Sequence, residues 1–184
     1  MPVFDWARET ARSVGTVAHR AFRQMAQEGI ERWPDARIAA LRARFATELA
    51  HEGVAAGELD AAVERIQTAL RRTLKDPRAR WLFALEHKEV RGEYALTSIR
   101  NDVLQSVVLD RTFVDETDTR WIVDFKFSQH EGANLEGFLD NERERYRAQL
   151  EQYAEVMRLL DTRSIRLGLY FPLLAGWREW QAPV

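Results

Sequence analysis

Two aspartates and a lysine are spaced so that they could meet on one face of a β-hairpin. Asp110 lies in the apolar run VVLDRTFVD, and Asp124 and Lys126 lie in WIVDFKFS, residues 121–128. The segment between them, residues 115–119, reads DETDT and is rich in turn-forming residues. If these five residues close a symmetric hairpin, Asp110 stands directly opposite Asp124, with Cβ atoms about 4.5–5.5 Å apart. We therefore expect two carboxylates to meet, with Lys126 one step along the same face.

This arrangement suggests two kinds of chemistry, because carboxylates held so close repel unless a cation neutralises them. Lys126 is one candidate, and a bound divalent cation is the other, since carboxylate oxygens are natural ligands of hard cations. A metal held by Asp110 and Asp124 would polarise a phosphodiester and lower the pKa of a bound water, while Lys126 positions that water or stabilises charge developing on phosphorus. A solvated strand face with an ordinary Asp–Lys pair is equally consistent with the geometry.

Residues 1–85 are predicted to form a helical region. From Asp5 to Gln27 apolar residues recur at three-to-four spacing, and Gly29 follows as a C-terminal glycine should, so one long helix is expected. After Pro34, WPDARIAALRARFATELA and GELDAAVERIQTALRRTL repeat the pattern, and DPRARWLFAL predicts a shorter helix.

Residues 86–184 differ from the helical region in that they contain strand-forming segments, and they are predicted to form an αβ core. Strands are expected in EYALTSI, SVVLDRTFVD, RWIVDFKF and IRLGLYFPL, with a long helix over about Leu135–Leu160 between the last two. Within RWIVDFKF, period-two alternation predicts that the face of Trp121 is buried and that of Asp124 is polar. The order predicts an α/β (α+β) fold, with a small mixed sheet flanked by helices and an N-terminal helical elaboration, as a single domain over residues 1–184.

Composition limits the classes of function. The chain has 184 residues, 46% of them hydrophobic, and no cysteine, so any metal must be held by oxygen or imidazole. The net charge of -2 gives no general basic excess, which argues against a free-standing DNA-binding protein but not against a module to which a partner delivers DNA. There is no apolar segment of membrane-spanning length and no signal-peptide pattern at the start, so we expect a cytoplasmic location without a membrane partner.

The chemical motif resembles that of a known family. An Asp in a hydrophobic strand, followed by Asp-x-Lys at the end of a hairpin, is similar to the core of the PD-(D/E)XK nuclease superfamily, with Asp110 and DFK at 124–126 in those places. The resemblance extends to the next helix, where Gln149 and Tyr153 in YRAQLEQYAEVM match a Gln-x-x-x-Tyr motif. It extends also to an early helix, where GTVAHR, with His19, matches a Gly-x-x-x-His motif.

Together these motifs resemble those of the C-terminal nuclease domain of helicase-nucleases of the RecB and AddA class, of the exonuclease V type. The resemblance implies a restriction-endonuclease-like core and a Mg²⁺- or Mn²⁺-dependent DNA nuclease that acts in double-strand-break processing and recombination. It implies metal ligation by Asp110 and Asp124 with help from His19, a catalytic role for Lys126, and contacts of Gln149 and Tyr153 with the active site or the DNA backbone.

The resemblance also implies partners. The sequence has no Gly-x-x-x-x-Gly-Lys-[Ser/Thr] phosphate loop, so the chain is not itself the helicase motor. The expected partners are DNA and a superfamily 1 helicase motor, in the same polypeptide or in a complex. The alternative is a noncatalytic module of the same fold that binds DNA or docks a partner.

Some of these residues also have structural interpretations. His19 lies on a strongly periodic helix, where a lone histidine is more often a packing residue than a ligand. Tyr153 shares an apolar stripe with Tyr146 and Leu150, which is typical of a helix core. Glu93 begins the first predicted strand and is interpreted as a solvated edge charge rather than a further ligand.

Overall fold

The computed structural model describes residues 3–100, 102–130 and 132–183, without the side chains of residues 3–8, 100 and 103. The chain divides into two compact units. The first comprises Met1–Ala84, Phe127–Gln129 and Pro172–Ala175, and the second comprises Leu85–Lys126, His130–Phe171 and Gly176–Val184. That the whole chain acts as a single domain stays a prediction.

The first unit is helical, as its apolar periodicity indicated. Its α-helices are α1 (Val3–Glu28), α2 (Asp35–Ala40), α3 (Arg42–His51), α4 (Leu59–Lys75) and α5 (Pro77–Leu82). The expected long first helix is present, and Gly29 follows it with a φ of 89°, a conformation that glycine adopts without strain. Among the described residues, no helix combines the length and apolar character needed to cross a membrane.

The helix predicted to start after Pro34 is interrupted. It forms two helices, α2 and α3, separated by a turn at Leu41. The Leu41 amide donates to the carbonyls of both Arg37 and Ile38, each at 3.2 Å, which tightens the last turn of α2. The sequence predicts one continuous helix there, because it has neither glycine nor proline to mark a break. That prediction was wrong.

The described residues of the second unit form a five-stranded mixed sheet and one long helix. Its elements are β1 (Lys88–Arg100), β2 (Val103–Val114), β3 (Arg120–Phe125), α6 (Leu135–Met157), β4 (Ile165–Phe171) and β5 (Gly176–Gln181). The strand order is β1-β2-β3-β4-β5; the neighbours β3 and β4 pair in parallel, and the other neighbouring strands of this sheet pair antiparallel. The predicted α/β fold with a small mixed sheet and flanking helices is confirmed, with a fifth strand that was not predicted.

The register predicted for the central hairpin is confirmed. Val114 pairs with Arg120, and the pairing continues to Arg111 and Val123. The Asp115 amide donates to the Thr119 carbonyl at 3.1 Å, which closes the connecting loop. Asp110 and Asp124 are the next positions beyond the last pair, so the hairpin brings the two carboxylates to the same level of the sheet.

One expectation for β3 was wrong. All six of its residues are buried, including those on the face predicted to be polar. Ile122 is fully buried and Asp124 is 4% exposed. The physical reason is that β3 pairs with β2 on one side and in parallel with β4 on the other, and α6 contacts the strand as well. The helix covers the face of Asp124 and Lys126, where Tyr146 of α6 contacts Lys126, so that face is not solvated.

Candidate active site

The site begins where the β2–β3 ladder ends. Past the pair of Arg111 and Val123, the Phe125 amide donates a hydrogen bond of 2.8 Å to Asp110 Oδ2. The Asp110 carboxylate therefore replaces a backbone acceptor at the point where the strands stop pairing. This contact orients Asp110 from within the sheet itself.

Asp124 is the most deeply buried acidic group of the site. Its Oδ2 lies 2.7 Å from Lys126 Nζ and forms an ion pair with it. The same oxygen is buried, and it has no hydrogen-bond partner of normal geometry among the described residues. A carboxylate has about four lone-pair sites, so one that pairs with a single ammonium can still accept a further cationic partner.

Lys126 is held through both its backbone and its side chain. Its amide donates to the Tyr170 carbonyl at 2.9 Å, which extends the parallel pairing of β3 and β4 by one residue. Burial by itself lowers the pKa of the ammonium, but the charge and contact of Asp124 outweigh burial, and the net pKa of Lys126 is raised. Lys126 is therefore a fixed, fully charged cation at neutral pH.

The two carboxylates strongly affect each other. Burial of the carboxyl group and, next, the negative charge of Asp124 raise the pKa of Asp110 from 3.8 to about 8. The charge of Glu93 acts in the same direction, while the Phe125 amide and Lys126 oppose it. In the absence of a further cation, Asp110 holds a proton at neutral pH because two buried like charges are costly.

The donor set fits a hard divalent cation. Among the described residues, no three or more His, Cys, Asp or Glu side chains come together as a complete metal site. Two carboxylates suffice for Mg²⁺, which usually binds through one or two carboxylates and keeps several waters. A divalent cation between the two carboxylates would offset the repulsion that, with burial, raises the pKa of Asp110.

Helix α6 brings a polar pair to the same site. Gln149 Nε2 donates to the Tyr153 hydroxyl at 2.5 Å, one helical turn away. Burial and then the charge of Asp124 raise the pKa of Tyr153, so the phenol lies within electrostatic reach of the carboxylates. The second unit thus brings all of the predicted site residues together except His19.

His19 lies on α1 in the first unit. Its side chain is partly exposed, and its ring packs edge-on against Phe127, with ring centroids 5.1 Å apart. Phe127 also packs edge-on against Phe22, so the three rings form one aromatic cluster. The role of His19 as a metal ligand stays a prediction.

Sequence reasoning underestimated two residues of the site. Glu93 is exposed, as expected, yet its charge raises the pKa of Asp110. Tyr146 was considered only as part of a packing stripe, but its ring lies against Lys126 Nζ, 3.9 Å from the centroid. The signal for Tyr146 was present, because it precedes Gln149 by three residues and Tyr153 by seven and so shares their helical face.

Comparison with known families agrees with this geometry. A family model described as the PD-(D/E)XK nuclease superfamily matches residues 5–175, nearly the whole chain. The chain belongs to the PD-(D/E)XK nuclease superfamily. No curated protein matches the sequence. Membership implies a nuclease, and the five-stranded mixed sheet with its helices is consistent with the restriction-endonuclease-like fold of this superfamily.

Proposed function

We propose that the protein is a metal-dependent DNA nuclease that hydrolyses phosphodiester bonds with Mg²⁺ or Mn²⁺. The observation that carries this proposal is the pair of Asp110 and Asp124 at the end of the β2–β3 ladder, with Lys126 Nζ 2.7 Å from Asp124 Oδ2. Asp110 and Asp124 would hold a divalent cation, which would supply polarisation of the scissile phosphodiester and a lowered pKa for water.

The remaining side chains have roles that follow from their charge and position. The Lys126 ammonium stabilises negative charge that develops on the phosphoryl oxygens, and it orients the attacking water. Asp124 pairs with Lys126 and would also hold the cation. The Gln149 amide and the Tyr153 hydroxyl form a hydrogen-bonding pair that can contact the phosphate backbone next to the scissile bond. His19 is proposed as an additional, imidazole ligand of the cation.

We further propose that this nuclease works within an ATP-dependent helicase-nuclease of the RecB and AddA class, in double-strand-break processing and recombination in the cytoplasm. Support comes from three motifs that follow one another along the chain, in GTVAHR, DFK and YRAQLEQYAEVM. The net charge of -2 agrees with it, because a motor that feeds DNA to the site reduces the need for long-range attraction.

The test is cleavage of labelled linear DNA, single- and double-stranded, with Mg²⁺, with Mn²⁺ and with chelator. We expect metal-dependent cleavage that falls by at least about a hundredfold in Asp124→Ala and in Lys126→Ala. Glu116→Ala is the matched control, because Glu116 is an exposed carboxylate on the loop of the same hairpin. Metal-dependent cleavage retained by Asp124→Ala would overturn the assignment.

Calorimetry with Mn²⁺ separates this proposal from a noncatalytic module. Heat of binding that disappears in Asp110→Ala, without cleavage, would mean that the metal site is intact and that the chemistry requires the motor. Absence of both heat and cleavage would favour the noncatalytic alternative. A weaker Mn²⁺ affinity in His19→Ala would support His19 as a ligand, and an unchanged affinity would leave it as a packing residue.

A further inference from the structure

The ammonium of Lys126 lies between a carboxylate and an aromatic ring. On one side it is paired with Asp124, and on the other it lies 3.9 Å from the centroid of the Tyr146 ring. This distance is well within the roughly 6 Å over which a cation is attracted to a ring face. Lys126 Nζ therefore has two partners of different chemistry.

We propose that Tyr146 is a positioning residue that fixes the Lys126 ammonium for the reaction, an inference that rests on the proposed nuclease function. The cation–π contact is electrostatic, so the ring face is the part that matters and the phenol hydroxyl is dispensable. Tyr146 acts through Lys126 and has no assigned contact with the substrate.

The ring has a function that Asp124 cannot perform alone. A carboxylate that ligates a divalent cation gives up part of its attraction for a neighbouring ammonium, because its charge is then shared. The neutral Tyr146 ring does not compete for the metal, and its attraction for Lys126 does not depend on metal binding. It restricts the ammonium without neutralising the positive charge that the reaction uses.

Lys126 is the main cationic partner of this ring. The guanidinium of Arg145 also lies near it, 5.2 Å from the centroid. That side chain is 68% exposed and paired with Glu142, whereas the side chain of Lys126 is 17% exposed. A shorter contact with less solvent is the stronger one, since desolvation strengthens cation–π attraction.

A spectroscopic readout tests the contact without any cleavage. The sequence has three lysines, Lys75, Lys88 and Lys126, so lysine labelled at ¹³Cε gives a spectrum of three signals. The signal that disappears in Lys126→Arg belongs to Lys126. A side chain that lies over a ring face is shifted upfield by the ring current. We expect this shift in the native protein and in Tyr146→Phe, and its loss in Tyr146→Leu.

Kinetics test the consequence. We expect kcat to fall about tenfold in Tyr146→Leu and to stay within about threefold of the native value in Tyr146→Phe. KM and Mn²⁺ affinity should change little in either variant, because the ring contacts neither phosphate nor cation in this proposal. Rescue by phenylalanine distinguishes the ring face from the hydroxyl, and circular dichroism checks that both variants fold.

Failure of the positioning role of Tyr146 can be told apart from failure of the nuclease function. A Lys126 signal without an upfield shift in the native protein, or a Tyr146→Leu variant with native kcat, would overturn the positioning role. A native protein that neither binds Mn²⁺ nor cleaves DNA with either metal would count against the proposed function. In that case the positioning role in catalysis is overturned with it, while the ring-current shift still reports whether Tyr146 orders Lys126.

Discussion

Asp110 accepts a hydrogen bond of 2.8 Å from the backbone amide of Phe125, the residue that separates Asp124 from Lys126. The backbone of the second motif therefore orients the carboxylate of the first. Because the acceptor is a side chain, the two strands stay linked after their ladder ends at Arg111 and Val123. The acidic pair is built into the sheet and does not depend on a mobile loop.

The raised pKa of Asp110 predicts that the metal-free protein loses stability as the pH rises. The pKa is about 8 in the folded protein against an ordinary value of 3.8, so between these values the folded state holds a proton that the unfolded state has lost. The stabilising contribution is complete below 3.8 and disappears as the pH rises through about 8. Urea unfolding in chelator across this range should show the decline, and Asp110→Asn should flatten it. Equal slopes for the two proteins would contradict the prediction.

Metal binding should release the same proton. Below pH 8, a cation that binds Asp110 must displace a proton from a carboxyl group whose pKa is raised to about 8. Titration with Mn²⁺ at pH 6.5 in two buffers of different ionisation enthalpy should therefore give different apparent heats, equivalent to about one proton per metal ion. In Asp110→Ala we expect neither Mn²⁺ binding nor proton release. Binding to the native protein with heats that do not depend on the buffer would refute this.

Asp115 should be the main stabilising residue of the hairpin loop. Its carboxylate accepts from the Thr117 and Thr119 amides at 2.9 and 3.0 Å and from Trp121 Nε1 at 2.8 Å. Asp115→Ala leaves these donors unpaired, so we expect the free energy of unfolding to fall by about 3 kcal/mol. Glu116→Ala, next to it but exposed, should change it by less than about 0.5 kcal/mol. Chemical denaturation of both variants measures the difference, and similar values would contradict the role of Asp115.

Gly168 should not tolerate a side chain. A Cβ at this position would lie 2.9 Å from two carbon atoms of the Trp177 indole. The indole cannot move freely, because its Nε1 donates to Glu179 at 2.6 Å. Gly168→Ala should therefore destabilise the protein by about 1–3 kcal/mol. Gly57→Ala is the control, since nothing lies within 4 Å of a Cβ there. Thermal unfolding compares the two, and equal midpoints would show that the indole adapts.

Local patterns were enough to predict the acidic pair. The turn residues of 115–119 set the hairpin register, and that register brings Asp110 to the level of Asp124. The same local information could not predict that Asp124 is buried. Its burial depends on β4 and α6, which follow much later in the chain and cover the strand only after folding.

Non-local pairing also explains the missed strand. The residues of β5, GWREWQ, include two charges and begin with glycine, so they lack the apolar run typical of a strand. They become a strand because they pair antiparallel with β4, from Phe171 and Gly176 to Arg166 and Gln181. The contact of Tyr146 with Lys126 is a similar case, because periodicity gives the helical face but not the partner it meets.

The division of the chain affects how the protein can be made. Besides residues 1–84, the helical unit includes Phe127–Gln129 and Pro172–Ala175, and these two short segments follow Lys126 and the end of β4 directly. During synthesis this unit cannot be completed until about ninety residues after its main part have left the ribosome, whereas domains with contiguous sequences can fold as they emerge. A fragment cut at residue 84 would lack two pieces of the first unit, and the remainder would carry them without their native contacts. The two units are therefore best expressed as one polypeptide.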